Sequence, residues 1–151
     1  MQKSFLMPAS ALMLAMLAAG CSSVPYAQRA AQRQADYVAA AGAPVRSFHF
    51  FSLYSWEALS DTQLAVYTRP NQAWLLDLAG CQDLMFTNNI GLTSNISEVM
   101  VGFDKVLTGS HNFPCTITGI RPVDVKSLKL AQEQQRKIEA AARNGEQGAA
   151  K

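Results

Sequence analysis

The stretch "LAVYTRPNQAWLLDL", residues 64–78, decides the fold. Its first five residues, LAVYT, alternate between two faces in the manner of a strand. Arg69-Pro70-Asn71 is a turn signal, and AWLLDL (73–78) resumes at hairpin distance, so the two runs read as paired antiparallel strands. Outward from this hairpin the pattern repeats. SFHFFSLY (47–54), LMF (84–86), IGLTS (90–94), VMVGF (99–103) and CTITGI (115–120) are short β-type runs separated by Gly, Asn and Pro. Residues 56–59 read equally as a helical turn or as part of a bent strand. The expectation is a mainly β domain over residues 44–125, a small barrel or sandwich of short antiparallel strands.

At 151 residues the chain has room for one domain. Only 16% of residues are charged, and the formal charge is +2. Between residues 44 and 125, four basic residues stand against seven acids, a net of −3, whereas residues 126–151 carry six basic residues and three acids, a net of +3. Neither part has the clustered basic face of a nucleic-acid binder, so nucleic acid is not an expected partner.

The amino terminus has its own logic. Lys3 precedes a fifteen-residue apolar segment, residues 5–19, broken only by Pro8 and Ser10. A bilayer span needs about 20 residues; this segment has the length and flanks of a secretory signal. The Ala18-Ala19-Gly20-Cys21 that follows resembles a bacterial lipobox, with Ala18 where Leu is commoner. That resemblance implies cleavage after Gly20, lipid on the Cys21 sulfur and an acylated new terminus. Several acyl chains anchor stably where one does not. Ser22 in place of Asp after the cysteine implies the outer membrane, facing the periplasm of a Gram-negative envelope.

The expected organisation is a signal peptide (1–20), a lipidated cysteine and tether (21–43), the β domain (44–125) and a helical, partly disordered tail (126–151). The tether is Ala- and Gln-rich and lacks a sustained apolar stripe. It reads as helical over residues 26–41, reaching roughly 33 Å if helical throughout and roughly 75 Å if extended. Residues 127–143 read as a second helix whose thin stripe (Leu128, Ala131, Ile138, Ala142) leaves it solvated or loosely docked, with a basic helix touching anionic lipid or a partner as the functional alternative, and residues 144–151 disordered.

Some 82 residues make a thin core, and small domains often need reinforcement. Once Cys21 is lipidated, Cys81 and Cys115 are the two cysteines left, and export delivers them to an oxidising compartment. Their spacing is not CxxC, so they read as a structural disulfide. Four segments, "SWEALSDTQLAVY", "AWLLDLAGCQDL", "GFDKV" and "CTITGIRPVD", resemble an uncharacterised family of proteobacterial lipoproteins. The resemblance implies an envelope location and the paired cysteines; it implies no activity.

For chemistry the chain offers little. No H-E-x-x-H, P-loop, G-x-G-x-x-G or G-x-S-x-G is present. His49, Trp56, Trp74 and His111 are the candidate ligand-binding residues, on an open aromatic face; the plainer reading makes the tryptophans core, His49 partly buried and His111 a loop residue. The histidines lie 62 positions apart and could share a metal with Asp104, without any ligand spacing to support it. Asp77, Asp83 and Asp104 are candidate paired carboxylates for glycan hydrolysis, although Asp83 reads more simply as a turn cap. The function expected is a non-enzymatic outer-membrane lipoprotein without a cofactor, presenting a stapled β domain to an envelope protein. The alternatives are a small-ligand or metal-binding periplasmic module and, behind it, an envelope hydrolase.

Overall fold

The structure, a computed structural model, describes residues 25–109 and 113–149. It is mainly β, as expected. Six strands form one curled antiparallel half-barrel sheet: β2 (Ser55–Ser60), β3 (Gln63–Arg69), β4 (Gln72–Ala79), β8 (Cys115–Val123), β7 (Lys105–Leu107) and β5 (Gly91–Leu92), in that spatial order. Two further short strands, β1 (Ser47–His49) and β6 (Glu98–Met100), pair with each other. Helix α1 (Tyr26–Ala40) precedes the strands and α2 (Val125–Ala149) follows them.

The hairpin at residues 64–78 forms as its sequence dictates. Pro70-Asn71 links β3 to β4, with Arg69 opposite Gln72, and Pro70 presets the backbone at the first turn position. Both faces of this hairpin are buried. Leu64, Val66, Leu76 and Leu78 join Phe48, Val99, Val106, Cys115, Ile117 and Ile120 in an inner core. Ala65, Ala73 and Leu75 point the other way and meet Tyr37 of α1 with Val125 and Leu128 of α2. The sheet is therefore the middle of three layers, helices outside and the β1–β6 pair inside.

On β8 a bulge reconciles this packing with the sequence. Asp77 faces Gly119 and Leu78 faces Ile117, leaving Thr118 as the extra residue, so Ile117 and Ile120 both reach the inner core although three positions apart. The Thr118 hydroxyl donates to the Asp77 carbonyl at 3.0 Å. Gly119 makes room for Asp77: a Cβ there would lie 2.8 Å from Asp77 Oδ2, so the carboxylate would have to shift. Pro122 is accommodated because its carbonyl side faces Gly42, whose N–H donates to it at 2.8 Å, rather than β4.

Several elements differ from expectation. Residues 84–86 form a 3-10 turn, not a strand; an apolar run of three carries no periodicity to separate the two. Residues 56–59 belong to strand β2, bulged between Ala58 and Ser60. Strand content in 47–54 stops at His49. The expected tether is, over Tyr26–Ala40, a docked helix, and α2 continues to Ala149 where disorder was expected. α1 docks by polar contacts in place of an apolar stripe. Arg33 pairs with Glu57 at 2.9 Å, and Gln34 Nε2 donates to Gln63 Oε1 at 2.8 Å. Tyr37, 2% exposed, donates its hydroxyl to Glu57 Oε2 at 2.8 Å and lies 2.7 Å from the Tyr67 hydroxyl. Its partner helix is held by Leu128 and by the Asp124 carboxylate, which accepts from the N–H groups of Lys126 and Ser127.

Cys81 and Cys115 form a disulfide, their Cα atoms 4.7 Å apart across 34 positions of sequence. Closing a loop of that length contributes about 4 kcal/mol in the chain-entropy account. The Cys81→Ala/Cys115→Ala double variant is expected to lose about that much in urea unfolding. Burial, then the hydrogen bonds to Tyr67 and Glu57, hold the Tyr37 phenol far above its ordinary 10.0. Tyr67 is raised too, chiefly by burial. Unfolded tyrosines lose their protons near pH 10 while these keep theirs, so stability is intact below that pH and falls above it. The expected slope is about 1.4 kcal/mol per pH unit from Tyr37, with Tyr67 adding in the same direction. Tyr37→Phe should make the decline shallower, measured by unfolding at a series of pH values above 9.

Candidate functional site

The aromatic candidates resolve into two groups. Trp56, Val66 and Trp74 stand side by side in register across β2, β3 and β4 and pack against the inner core. Trp74 stacks on Phe48, ring centroids 4.9 Å apart and planes 18° from parallel. These tryptophans are half-buried and pack on the edge of the core. His49, expected to be partly buried, is exposed because it ends β1 and points away from the core that Phe48 enters; its Nε2 lies 3.9 Å from Glu98 Oε1. The structure therefore does not gather His49 and the tryptophans at one site. His111 and Cys21 lie outside the described residues.

The acids are engaged separately. Asp77 accepts from Gln63 Nε2 at 2.8 Å and pairs with Arg121 at 3.1 Å beneath the helices. Asp104, 7% exposed, accepts from the Thr93 hydroxyl and the Met100 N–H at 2.8 and 2.7 Å, closing the turn after β6. Asp83 precedes the 3-10 turn in the left-handed region, at φ 57°, with no side-chain capping bond. Its part in the turn is played by the backbone. Among the described residues no group of three or more His, Cys, Asp or Glu side chains converges to hold a metal.

One concave feature does include a candidate residue. A cleft of about 770 Å3 opens where the end of β1, the β3–β4 turn and the turn before β6 meet, lined by His49, Phe50, Phe51, Thr68, Arg69 and Ile96 among others. The Phe50 N–H donates to the Ser97 carbonyl at 2.9 Å and ties two of its walls together. Phe51 is 97% exposed and Ile96 89%. The Thr68 hydroxyl is buried without a hydrogen-bond partner among the described residues, and Arg69 has no ion pair among them.

Ile96 stands out. Asn95 and Glu98 exchange backbone hydrogen bonds of 3.1 and 3.0 Å across a two-residue turn, and both residues between them have positive φ, Ile96 at 51° and Ser97 at 59°. Such turns take Asn or Gly at these places. A β-branched residue there is strained, and this one buries almost nothing in return. The sequence held one signal of this: an isoleucine inside the otherwise polar TSNISE, where a turn residue belongs.

A curled antiparallel half-barrel, stapled by one disulfide and flanked by two helices, defines a β domain with a cleft at one pole. The chain belongs to a family of unknown function, DUF6491, whose pattern matches residues 2–139. No curated protein and no solved structure matches it. Ile96→Gly and Ile96→Asn should each relieve the strained turn and stabilise the fold by about 1 kcal/mol, read as an increase of a few degrees in Tm.

Proposed function

We propose that this protein is a non-enzymatic outer-membrane lipoprotein, anchored at Cys21, whose periplasmic β domain binds an envelope protein through the cleft beside the β3–β4 turn. The observation that carries the binding role is Ile96, kept in a costly conformation while 89% exposed. Strain retained at an exposed side chain points to use of that side chain rather than to folding. Phe51 beside it supplies an aromatic anchor, and Arg69 a fork for a carboxylate; aromatic and Arg side chains dominate binding energy at interfaces. The matching partner segment carries an apolar side chain next to an acidic group. The location rests on the signal-like first twenty residues and the lipobox at Cys21, and a disulfide suits the oxidising compartment to which they lead.

A second reading places a small ligand in the same cleft. The unpartnered Thr68 hydroxyl favours it, and the volume lies within the range of small-molecule sites.

Two measurements test the proposal. Cys21→Ser should leave the membrane fraction, and retention there would remove the anchor. A photo-crosslinking residue at position 51 or 96, in cells, should trap one protein that the same residue at exposed Phe103 does not. The adduct at 51 should disappear with Ile96→Asn. Identical adducts at all three positions, or none at 51 and 96, would refute the interface. Thermal stabilisation by a small molecule that depends on Thr68 would favour the second reading.

A further inference from the structure

The anchor and the docked helix together set how the molecule stands. This inference rests on lipidation at Cys21. From Cys21 to Tyr26 the chain advances five residues, at most about 18 Å when fully extended. The leash is that short because α1 is fastened to the sheet by Tyr37, by Arg33 on Glu57 and by Gln34 on Gln63.

α1 and α2 run antiparallel. The Asp124 N–H donates to the Ala40 carbonyl at 2.9 Å, where one helix ends and the other begins. Further along, Arg29 and Arg33 share a groove with Gln132 and Arg136. α1 has 15 residues and α2 has 25. The ten extra residues carry α2 about 15 Å beyond the start of α1. With the helices upright, that overhang brings the end of α2 to within about 3 Å of the lipid surface when the leash is taut, and onto it when the leash is slack. Tyr26, 71% exposed, and the exposed Arg29 and Arg143 lie on the same pole. An amphipathic ring and two cations suit the phosphate-bearing headgroup layer.

The cleft lies at the other pole. Ala41, just past α1, bridges Val123, which pairs with Ala73, next to Gln72 in the cleft wall. We propose that the acylated protein stands on a phospholipid surface on the first turn of α1 and the free end of α2, with the β3–β4 cleft held away from the lipid.

The full-length acylated protein, reconstituted in phosphatidylethanolamine/phosphatidylglycerol vesicles, tests this with a fluorophore at Ala142→Cys or Asn71→Cys, both exposed positions, and a quencher on the lipid headgroups. Most of the emission should be lost at 142 and none at 71. Equal quenching at both, or stronger quenching at 71, in vesicles with which the protein floats would overturn the orientation. Failure of the unlabelled protein to float would instead remove the anchor on which it rests.

Discussion

Leu75 and Leu76 are adjacent, both fully buried, and point to opposite faces of β4. Everything else in the structure answers that constraint. Each such side chain contributes roughly 2 kcal/mol when removed from water, and one sheet can bury both only if it is covered on both sides. The inner cover is the β1–β6 pair with Leu84 of the 3-10 turn; the outer cover is Tyr37, Val125 and Leu128 of the two helices. Segments flanking the strands in sequence are thereby drawn into the fold. They meet at one corner, where Asp124 bonds to Ala40 and Ala41 bridges Val123.

What could be read from the sequence follows from this layering. The 64–78 hairpin was legible because alternation and a Pro-Asn turn are local signals, and the cysteine pairing because three cysteines offer few pairs to choose from. β7 was not, since Lys105–Leu107 buries one residue, Val106. α1 was read as a helix but not as part of the domain. Amphipathicity is a statement about apolar side chains, whereas this helix is held by an arginine, a glutamine and a tyrosine hydroxyl. Their partners Glu57, Gln63 and Tyr67 lie 20 to 30 positions away, and no local pattern links them. At the cleft, His49 was singled out, while Thr68, Arg69 and Ile96 were not. Their significance lies in a hydroxyl and a cation without partners among the described residues and in a backbone angle, none of them a property of residue type.

The polar contacts under α1 form two chains across the sheet. Arg33, Glu57, Tyr37 and Tyr67 make one; Gln34, Gln63, Asp77 and Arg121 make the other. Partly buried networks of this kind specify a geometry more than they add stability, because each member is costly to leave unpaired. They fix where α1 sits along β2 and β3, a register that apolar contact through Tyr37 alone would leave free to slide.

That register gives these buried contacts a part in display. In the proposed orientation β4, eight residues long and about 27 Å at the usual rise, separates the lipid pole from the cleft. The strained turn at Ile96 owes nothing to this frame, since Asn or Gly would close it equally well and the β1–β6 pairing needs only its backbone. The molecule thus divides its tasks. In the proposed reading the two-faced sheet sets the height and direction of the cleft, and one uneconomical exposed side chain marks the binding surface. For the proposed binding role the frame has to hold Phe51, Arg69 and Ile96 around one cleft, and the Phe50–Ser97 hydrogen bond ties two walls of that cleft together.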